Sequence, residues 1–101
     1  MNKNPLEKDI EKKVCDYAKK LGFLCYKFTS PARRSVPDRM FIAPQSYTSN
    51  GKVFFIEFKR WGCLPTPAQV VEIDKIKKQG IEVFIVDNVE AGKKIIGFGI
   101  D

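Results

Sequence analysis

The sequence predicts an α/β fold in which a mixed central sheet is flanked by helices. Two segments with apolar residues at helical spacing, near residues 4–21 and 66–79, are separated by three short apolar runs, and a fourth run follows the second segment. The run Val53–Ile56 is continuous, which is typical of a central strand buried on both faces. A strand that returns through a helix lies parallel to its neighbour, whereas a hairpin is antiparallel. The predicted order is therefore α-β-β-β-α-β, in a single domain over residues 1–101.

The first helix begins at a capping sequence. Asn4 is the predicted N-cap, Pro5 occupies the first helical position, and Glu7 stands third, as in a capping box. The apolar stripe consists of Ile10, Val14, Tyr17, Ala18 and Leu21, and Gly22 is suited to end the helix. At about 100° per residue, Glu7 lies within roughly 40° of the centre of that stripe. Its carboxylate could serve the cap alone or a functional site as well.

The first strand, predicted over Phe23–Phe28, is followed by a polar loop that contains Arg33 and Arg34. A basic loop near carboxylates suits an approaching phosphate backbone, and a solvated connection is the simpler interpretation. The candidate nucleic-acid-binding residues are Arg33, Arg34, Arg39 and Arg60. Trp61, next to Arg60, could stack on a base or lie in an interface.

The second and third strands form a predicted hairpin whose register can be counted. Turn-forming residues cluster over 45–51 and end in Asn-Gly, which favours positive φ. The counted pairs are Ala43–Lys52, Ile42–Val53, Met40–Phe55 and Asp38–Glu57. Because side chains alternate between faces, Lys59 points to the same face as Glu57, about 6.7 Å further along. We therefore expect two carboxylates and one ammonium group to converge at one end of the sheet.

Charged residues at the end of an otherwise apolar hairpin indicate either a structural ion pair or a functional site. Glu57 could pair with Lys59, or Asp38 with Arg39, without any further role. The spacing of the two carboxylates favours a metal site, because Mg²⁺ and Mn²⁺ prefer oxygen ligands. Such a site suits the hydrolysis of a phosphodiester bond. Lys59 would then position the attacking water and stabilise the pentavalent transition state.

The second helix opens with a second capping arrangement, with Thr66 as N-cap and Gln69 at the third position. Its buried stripe is predicted to contain Val70, Ile73 and Ile76. The apolar stretch Val83–Val86 in the strand that follows suits burial on both faces, and Val89–Ile96 is a candidate terminal helix. Capping logic alone makes Gln69 a structural residue.

Composition restricts the chemistry. The chain contains no histidine, so histidine bases and histidine zinc ligands are excluded. Lys plus Arg number 18 against 12 Asp plus Glu, a net charge of +6 that favours polyanionic partners, nucleic acid first. Cys15, Cys25 and Cys63 match no zinc pattern or disulfide framework, so we expect reduced thiols. No apolar run suggests a membrane span or signal peptide, and we expect a cytoplasmic protein.

Taken together, these motifs resemble the PD-(D/E)XK nuclease superfamily, and within it the virus-type replication-repair nuclease (VRR-NUC) domain. The resemblance rests on Pro37-Asp38, eighteen intervening residues, and then Glu57-Phe58-Lys59. The helical Glu7 and the Thr66–Gln69 segment agree with it, so that it covers the chain from about Leu6 to Val86.

The resemblance implies a restriction-endonuclease-like core and a nuclease that uses a divalent metal. It places Glu7, Asp38, Glu57, Lys59 and Gln69 in the catalytic site and makes Asp38, Glu57 and the Phe58 carbonyl metal ligands. Stand-alone members of the family further imply a homodimer that acts on branched DNA such as Holliday junctions. A nuclease of flap or other specificity and a non-catalytic nucleic-acid-binding domain are the competing interpretations.

Overall fold

A computed structural model describes residues 6–30, 35–45 and 52–97 of the chain. The elements are α1 (Glu7–Lys20), β1 (Leu24–Lys27), β2 (Arg39–Ile42), β3 (Val53–Phe58), α2 (Pro67–Lys78), β4 (Glu82–Val86) and α3 (Val89–Gly97). Their order confirms the predicted α-β-β-β-α-β arrangement with a terminal helix after it.

The four strands form one mixed sheet in the order β1-β2-β3-β4. The pairs β1–β2 and β2–β3 are antiparallel, and β4 lies parallel to β3. Met40 lies opposite Phe55, as the counted register requires, and the ladder ends with Arg39 opposite Ile56. The next position in this register is Asp38 opposite Glu57. The predicted central strand, β3, is therefore central, and its carboxyl end lies beside the start of β2.

Two apolar clusters lie on opposite faces of the sheet. The larger one packs α1 and α3 against alternate residues of β3, among them Phe54, Ile56 and Phe58. The smaller one packs α2 against the other face through Phe55, Ile73 and Val83. Since successive residues of a strand face opposite sides, Glu57 shares the face of Phe55, towards α2.

The start of α1 differs from the prediction. The helix begins at Glu7, and its N-cap is Leu6, whose side chain provides no capping hydrogen bond. Glu7 is thus the first helical residue instead of the third, and the expected capping box is wrong. Asn4 and Pro5, the predicted cap and first residue, lie outside the described residues. At the other end, Gly22 has the positive φ of 92° expected of a helix terminator.

Burial of β4 and α2 is less complete than their apolar sequences suggest. β4 is an edge strand, and its Ile85 is exposed, so the expectation of burial on both faces is wrong. On α2, Ile73 is buried but Val70 is exposed. As an edge strand, β4 has a neighbouring strand on one side only. The single helix α2 covers only part of the sheet face on which it packs.

Across residues 6–30, 35–45 and 52–97, no helix is long and apolar enough to cross a membrane.

Candidate active site

Glu57 lies at the end of β3 and is the one buried charged residue of the described chain, with 2% of its surface exposed. Burial raises the pKa of its carboxyl to about 7, and the nearby Asp38 carboxylate acts in the same direction. The Lys59 ammonium opposes this shift. Glu57 is therefore held where ionisation is costly unless a positive charge approaches.

The two carboxylate oxygens of Glu57 have different surroundings. Oε2 accepts a hydrogen bond from Nε2 of Gln69 at 2.7 Å, and Nζ of Lys59 lies 3.4 Å from the same oxygen. Oε1 is buried and has no hydrogen-bond partner within the described part of the chain. Buried polar atoms normally have partners. A buried, unpartnered carboxylate oxygen beside a second carboxylate is the kind of ligand that a hard divalent cation requires.

Asp38 is fixed by main-chain contacts on both sides. Its Oδ2 accepts a hydrogen bond from the main-chain N–H of Phe58 at 2.8 Å, and its carbonyl accepts one from Phe28 at 2.9 Å. Burial raises the pKa of the Asp38 carboxyl, whereas the Phe58 hydrogen bond lowers it. Pro37, which precedes Asp38, is fully buried and restricts the chain there. Asp38 is therefore oriented towards the end of β3 by the strand itself.

Lys59 follows directly after β3 and belongs to the same group of charges. Its main-chain N–H donates to the Val86 carbonyl at 2.8 Å, and its side chain is 14% exposed. The contact of its ammonium with Glu57 is the ion pair that the simpler interpretation anticipated. This contact accounts for Oε2 of Glu57 but leaves Oε1 without a partner.

Glu7 lies at the edge of the group. It is exposed, yet partial burial and the Asp38 carboxylate raise its pKa, while Lys59 lowers it. These couplings place Glu7, Asp38, Glu57 and Lys59 in one electrostatic neighbourhood. Even so, no three acidic, cysteine or histidine residues in the described ranges are arranged to hold a metal ion on their own. Glu7 is thus near the two carboxylates without completing a three-residue ligand set.

Gln69 connects the site to the start of α2. Its Oε1 accepts from the Thr66 main-chain N–H at 2.8 Å, and its own N–H donates to Oγ1 of Thr66 at 3.2 Å. The predicted capping box is therefore present. The same side chain also donates to Glu57, a contact that capping logic missed because it joins residues on different elements.

The arginines predicted to bind nucleic acid lie in different surroundings. Arg39 forms an ion pair with Glu11 of α1, in which the two side chains are 24% and 13% exposed, instead of pairing with Asp38. Arg60 is exposed at the end of β3. Arg33 and Arg34 lie outside the described residues. The sequence patterns did not identify Glu11 as the partner of Arg39. The only signal in the sequence was the position of Glu11 one turn after Glu7 on α1.

The segment after Lys59 is held against the sheet. The main-chain N–H of Gly62 donates to Oδ2 of Asp87 at 3.0 Å, and Gly62 has a positive φ of 79°. Trp61 is 55% exposed beside it. The anchored turn therefore presents an aromatic ring near the end of the sheet that carries the charges.

Comparison with known proteins relates the chain to nucleases. No family model matches it. The protein named "Putative nuclease p44" of Acyrthosiphon pisum secondary endosymbiont phage 1 is 40% identical over 82 residues, which cover 81% of this chain and 83% of that protein. A solved structure described as "VRR_NUC domain" has a TM-score of 0.78 at 28% identity and covers 89% of this chain and 92% of that one. A second, described as "VRR_NUC domain protein", has a TM-score of 0.75 at 19% identity, covers 97% and 90%, and supports the fold alone.

Proposed function

Since the chain belongs to the VRR-NUC family of nucleases, we propose that it is a divalent-metal-dependent endonuclease that hydrolyses phosphodiester bonds in branched DNA. The observation that carries the proposal is the buried, unpartnered Oε1 of Glu57 next to the Asp38 carboxylate. A structural ion pair with Lys59 leaves that oxygen unsatisfied, whereas a bound cation would satisfy it.

Asp38, Glu57 and the main-chain carbonyl of Phe58 are the proposed ligands of Mg²⁺ or Mn²⁺. Such an ion supplies positive charge at the scissile phosphate and increases the acidity of water. Mg²⁺ characteristically keeps several waters and uses one or two carboxylates, which agrees with a site that lacks a third acidic ligand among the described residues.

The remaining residues have separate proposed roles. The Lys59 ammonium positions the attacking water and stabilises the charge that develops on the phosphoryl oxygens. Gln69 holds Oε2 of Glu57, which keeps Oε1 directed to the cation. Glu7 contributes negative charge at the edge of the site and would be a further, water-mediated ligand of the cation.

The proposed substrate is DNA, with a four-way junction as the preferred structure and a homodimer as the active form. The net charge of +6 supports a polyanionic substrate. The proposed phosphate contacts are Arg33, Arg34, Arg39 and Arg60, and Arg60 is exposed directly after β3. Two copies related by a two-fold axis would allow symmetric cuts across a junction.

A substrate panel tests the proposal. The protein is incubated with four-way junction, flap, duplex and single-stranded DNA in Mg²⁺, Mn²⁺ or EDTA. Asp38→Asn and Lys59→Ala are compared with Asp74→Asn, which alters an exposed aspartate on α2. We expect junction cutting by the wild type and Asp74→Asn in either metal, and none in EDTA or by the other two variants.

Each alternative predicts a different result. Cutting of flaps in preference to junctions would retain the metal site and reject the junction specificity. Binding of DNA with no cutting under any condition would support the non-catalytic interpretation. Undiminished cutting by Asp38→Asn would remove the proposed site.

A further inference from the structure

Two of the three cysteines lie in direct contact, although they are ten positions apart in the sequence. Sγ of Cys25 on β1 is 3.0 Å from Sγ of Cys15 on α1, and both thiols are free. Cys63 is also free and is exposed in the segment before α2. The proposed nuclease chemistry uses none of these thiols, and no pattern in the sequence predicts their contact.

The surroundings of the pair favour a reaction between the two sulfurs. Cys15 is buried in the core cluster, and Cys25 packs against that cluster while remaining partly accessible. At 3.0 Å no other heavy atom can lie between the sulfurs. A disulfide bond is about 2.05 Å long, so an approach of roughly 1 Å would form one.

We propose that Cys15 and Cys25 form a redox modification site, which a peroxide converts into an intramolecular disulfide and a thiol reductant restores. This reaction is independent of nuclease activity.

The environment distinguishes the two thiols. The hydrogen bond with Cys15 lowers the pKa of the Cys25 thiol, and the positive charges of Arg39 and Lys19 act in the same direction against the effect of burial. The hydrogen bond with Cys25, together with burial, raises the pKa of the Cys15 thiol. Cys25 is also the partly accessible thiol, whereas Cys15 is buried, so that Cys25 is the thiol that attacks the oxidant and Cys15 is the one that resolves the product.

The reaction balances with hydrogen peroxide as the oxidant. The Cys25 thiolate attacks one peroxide oxygen, the O–O bond breaks, and hydroxide leaves and takes up a proton, so that Cys25 becomes a sulfenic acid and one water is released. Sγ of Cys15 then attacks the sulfenic sulfur. The S–O bond breaks, the Cys15 proton leaves with the hydroxyl group as a second water, and the S–S bond forms. Two thiols are oxidised, and one peroxide is reduced to two waters.

The crosslink would join α1 to the edge of the sheet. α1 carries Glu7 and the ion-pair partner of Arg39, and β1 is the first strand of the described sheet, next to β2. A disulfide restricts the unfolded chain more than the folded one. The oxidised protein should therefore unfold at a higher temperature than the reduced protein.

The test uses the full chain with Cys63→Ser, which removes the exposed thiol and with it intermolecular disulfides. The protein is treated with hydrogen peroxide, the excess is removed with catalase, and the chain is unfolded in urea so that N-ethylmaleimide reaches every free thiol, the buried Cys15 included. We expect an intact mass lower by two hydrogens, no alkylation, and a linked peptide pair that contains Cys15 and Cys25. The midpoint of thermal unfolding should rise by on the order of 10 °C and return with dithiothreitol.

Single variants check the order of the two steps. Cys15→Ser should accumulate a dimedone adduct at residue 25 after peroxide treatment, whereas Cys25→Ser should give little adduct at residue 15. The proposal is overturned if both thiols of the Cys63→Ser protein remain alkylatable after peroxide has oxidised Cys63 in the wild type. It is also overturned if peroxide converts Cys25 to sulfinic acid without a linked peptide. Both results come from proteins that retain Cys15 and Cys25, so a folding defect in a single variant does not affect them.

Discussion

The side-chain amide of Gln69 donates a 2.7 Å hydrogen bond to Oε2 of Glu57 and so joins the start of α2 to the end of β3. The same Gln69 side chain accepts from the Thr66 main chain in the capping box. One residue thus fixes both the first turn of α2 and the orientation of a buried carboxylate. The two functions can be separated by mutation.

Gln69→Ala should reduce DNA cutting, and Thr66→Ala should not. Thr66→Ala removes the capping hydroxyl at a cost of about 1 kcal/mol in the free energy of unfolding but keeps the contact of Gln69 with Glu57. Gln69→Ala loses a similar capping contribution and also releases Glu57. Urea unfolding and cutting rates of both variants provide the check. Equal loss of cutting in the two variants would show that Gln69 acts only through the cap.

Without metal, the protein should become less stable as pH rises. The pKa of Glu57 is raised from 4.5 to about 7 in the folded protein, so between these values the folded state binds more protons than the unfolded state. The contribution is fully present below about pH 4.5 and is lost as pH rises through about 7, with a difference on the order of 3 kcal/mol. The raised pKa values of Asp38 and Glu7 act in the same direction.

Urea unfolding in EDTA at several pH values measures this dependence. Glu57→Gln, which has the same shape and no titrating group, should show a flatter profile and exceed the wild type in stability at about pH 8. Wild-type stability that increases from about pH 5 to 8 would contradict a buried Glu57 carboxyl with a raised pKa.

Lys59→Ala should abolish cutting and leave DNA binding nearly unchanged. The ammonium lies 3.4 Å from Oε2 of Glu57, and the loss of one preorganised charge that stabilises a transition state typically costs about 10²–10³-fold in rate. The main-chain hydrogen bond of residue 59 to Val86 is retained in the variant. Lys75→Ala, which removes an exposed lysine from α2, is the matched control. A similar rate loss in both variants would indicate a general effect of charge.

Arg39 and Arg60 should respond differently to replacement by alanine. Arg39→Ala leaves the poorly exposed Glu11 without its partner and should cost roughly 2–3 kcal/mol in the free energy of unfolding. Arg60→Ala alters an exposed residue and should change stability by less than about 0.5 kcal/mol. If Arg60 contacts one phosphate, the slope of log K against log salt should become shallower by about 0.9.

Urea unfolding and DNA binding at several salt concentrations test this pair. The double variant Glu11→Ala/Arg39→Ala should recover part of the lost stability, because it leaves no unpaired charge. The proposed phosphate contact of Arg39 should also make the salt slope of Arg39→Ala shallower, whereas normal stability of that variant would contradict the structural role of its ion pair with Glu11.

Local patterns were sufficient to predict the sheet. The turn residues near position 50 and the alternation of β2 and β3 determine a register that brings Asp38 opposite Glu57, and the structure has that register. The apolar run in β4 led to the wrong prediction of burial on both faces. An edge strand that has one neighbouring strand and is covered by a helix can have the same composition as a central strand. Which strand lies at an edge depends on the whole topology.

Contacts between α1 and the sheet could not be predicted in the same way. Arg39 and Glu11 are 28 positions apart, and Cys15 and Cys25 are ten apart on different elements. Periodicity indicates which face of α1 turns towards the sheet, but it does not specify the tilt of the helix or which strand residues each side chain meets. The family resemblance placed Gln69 in the site, whereas its capping sequence alone did not.

The central claim is that Asp38 and Glu57 share one divalent cation. It is tested most directly by the anomalous diffraction of crystals grown in Mn²⁺, with Asp38→Asn crystals as the control. The account predicts a manganese peak within about 2.0–2.5 Å of Oε1 of Glu57 and of an Asp38 oxygen, and a weakened or absent peak in the variant. A wild-type map with no peak between these carboxylates, at a Mn²⁺ concentration that supports DNA cutting, would contradict it.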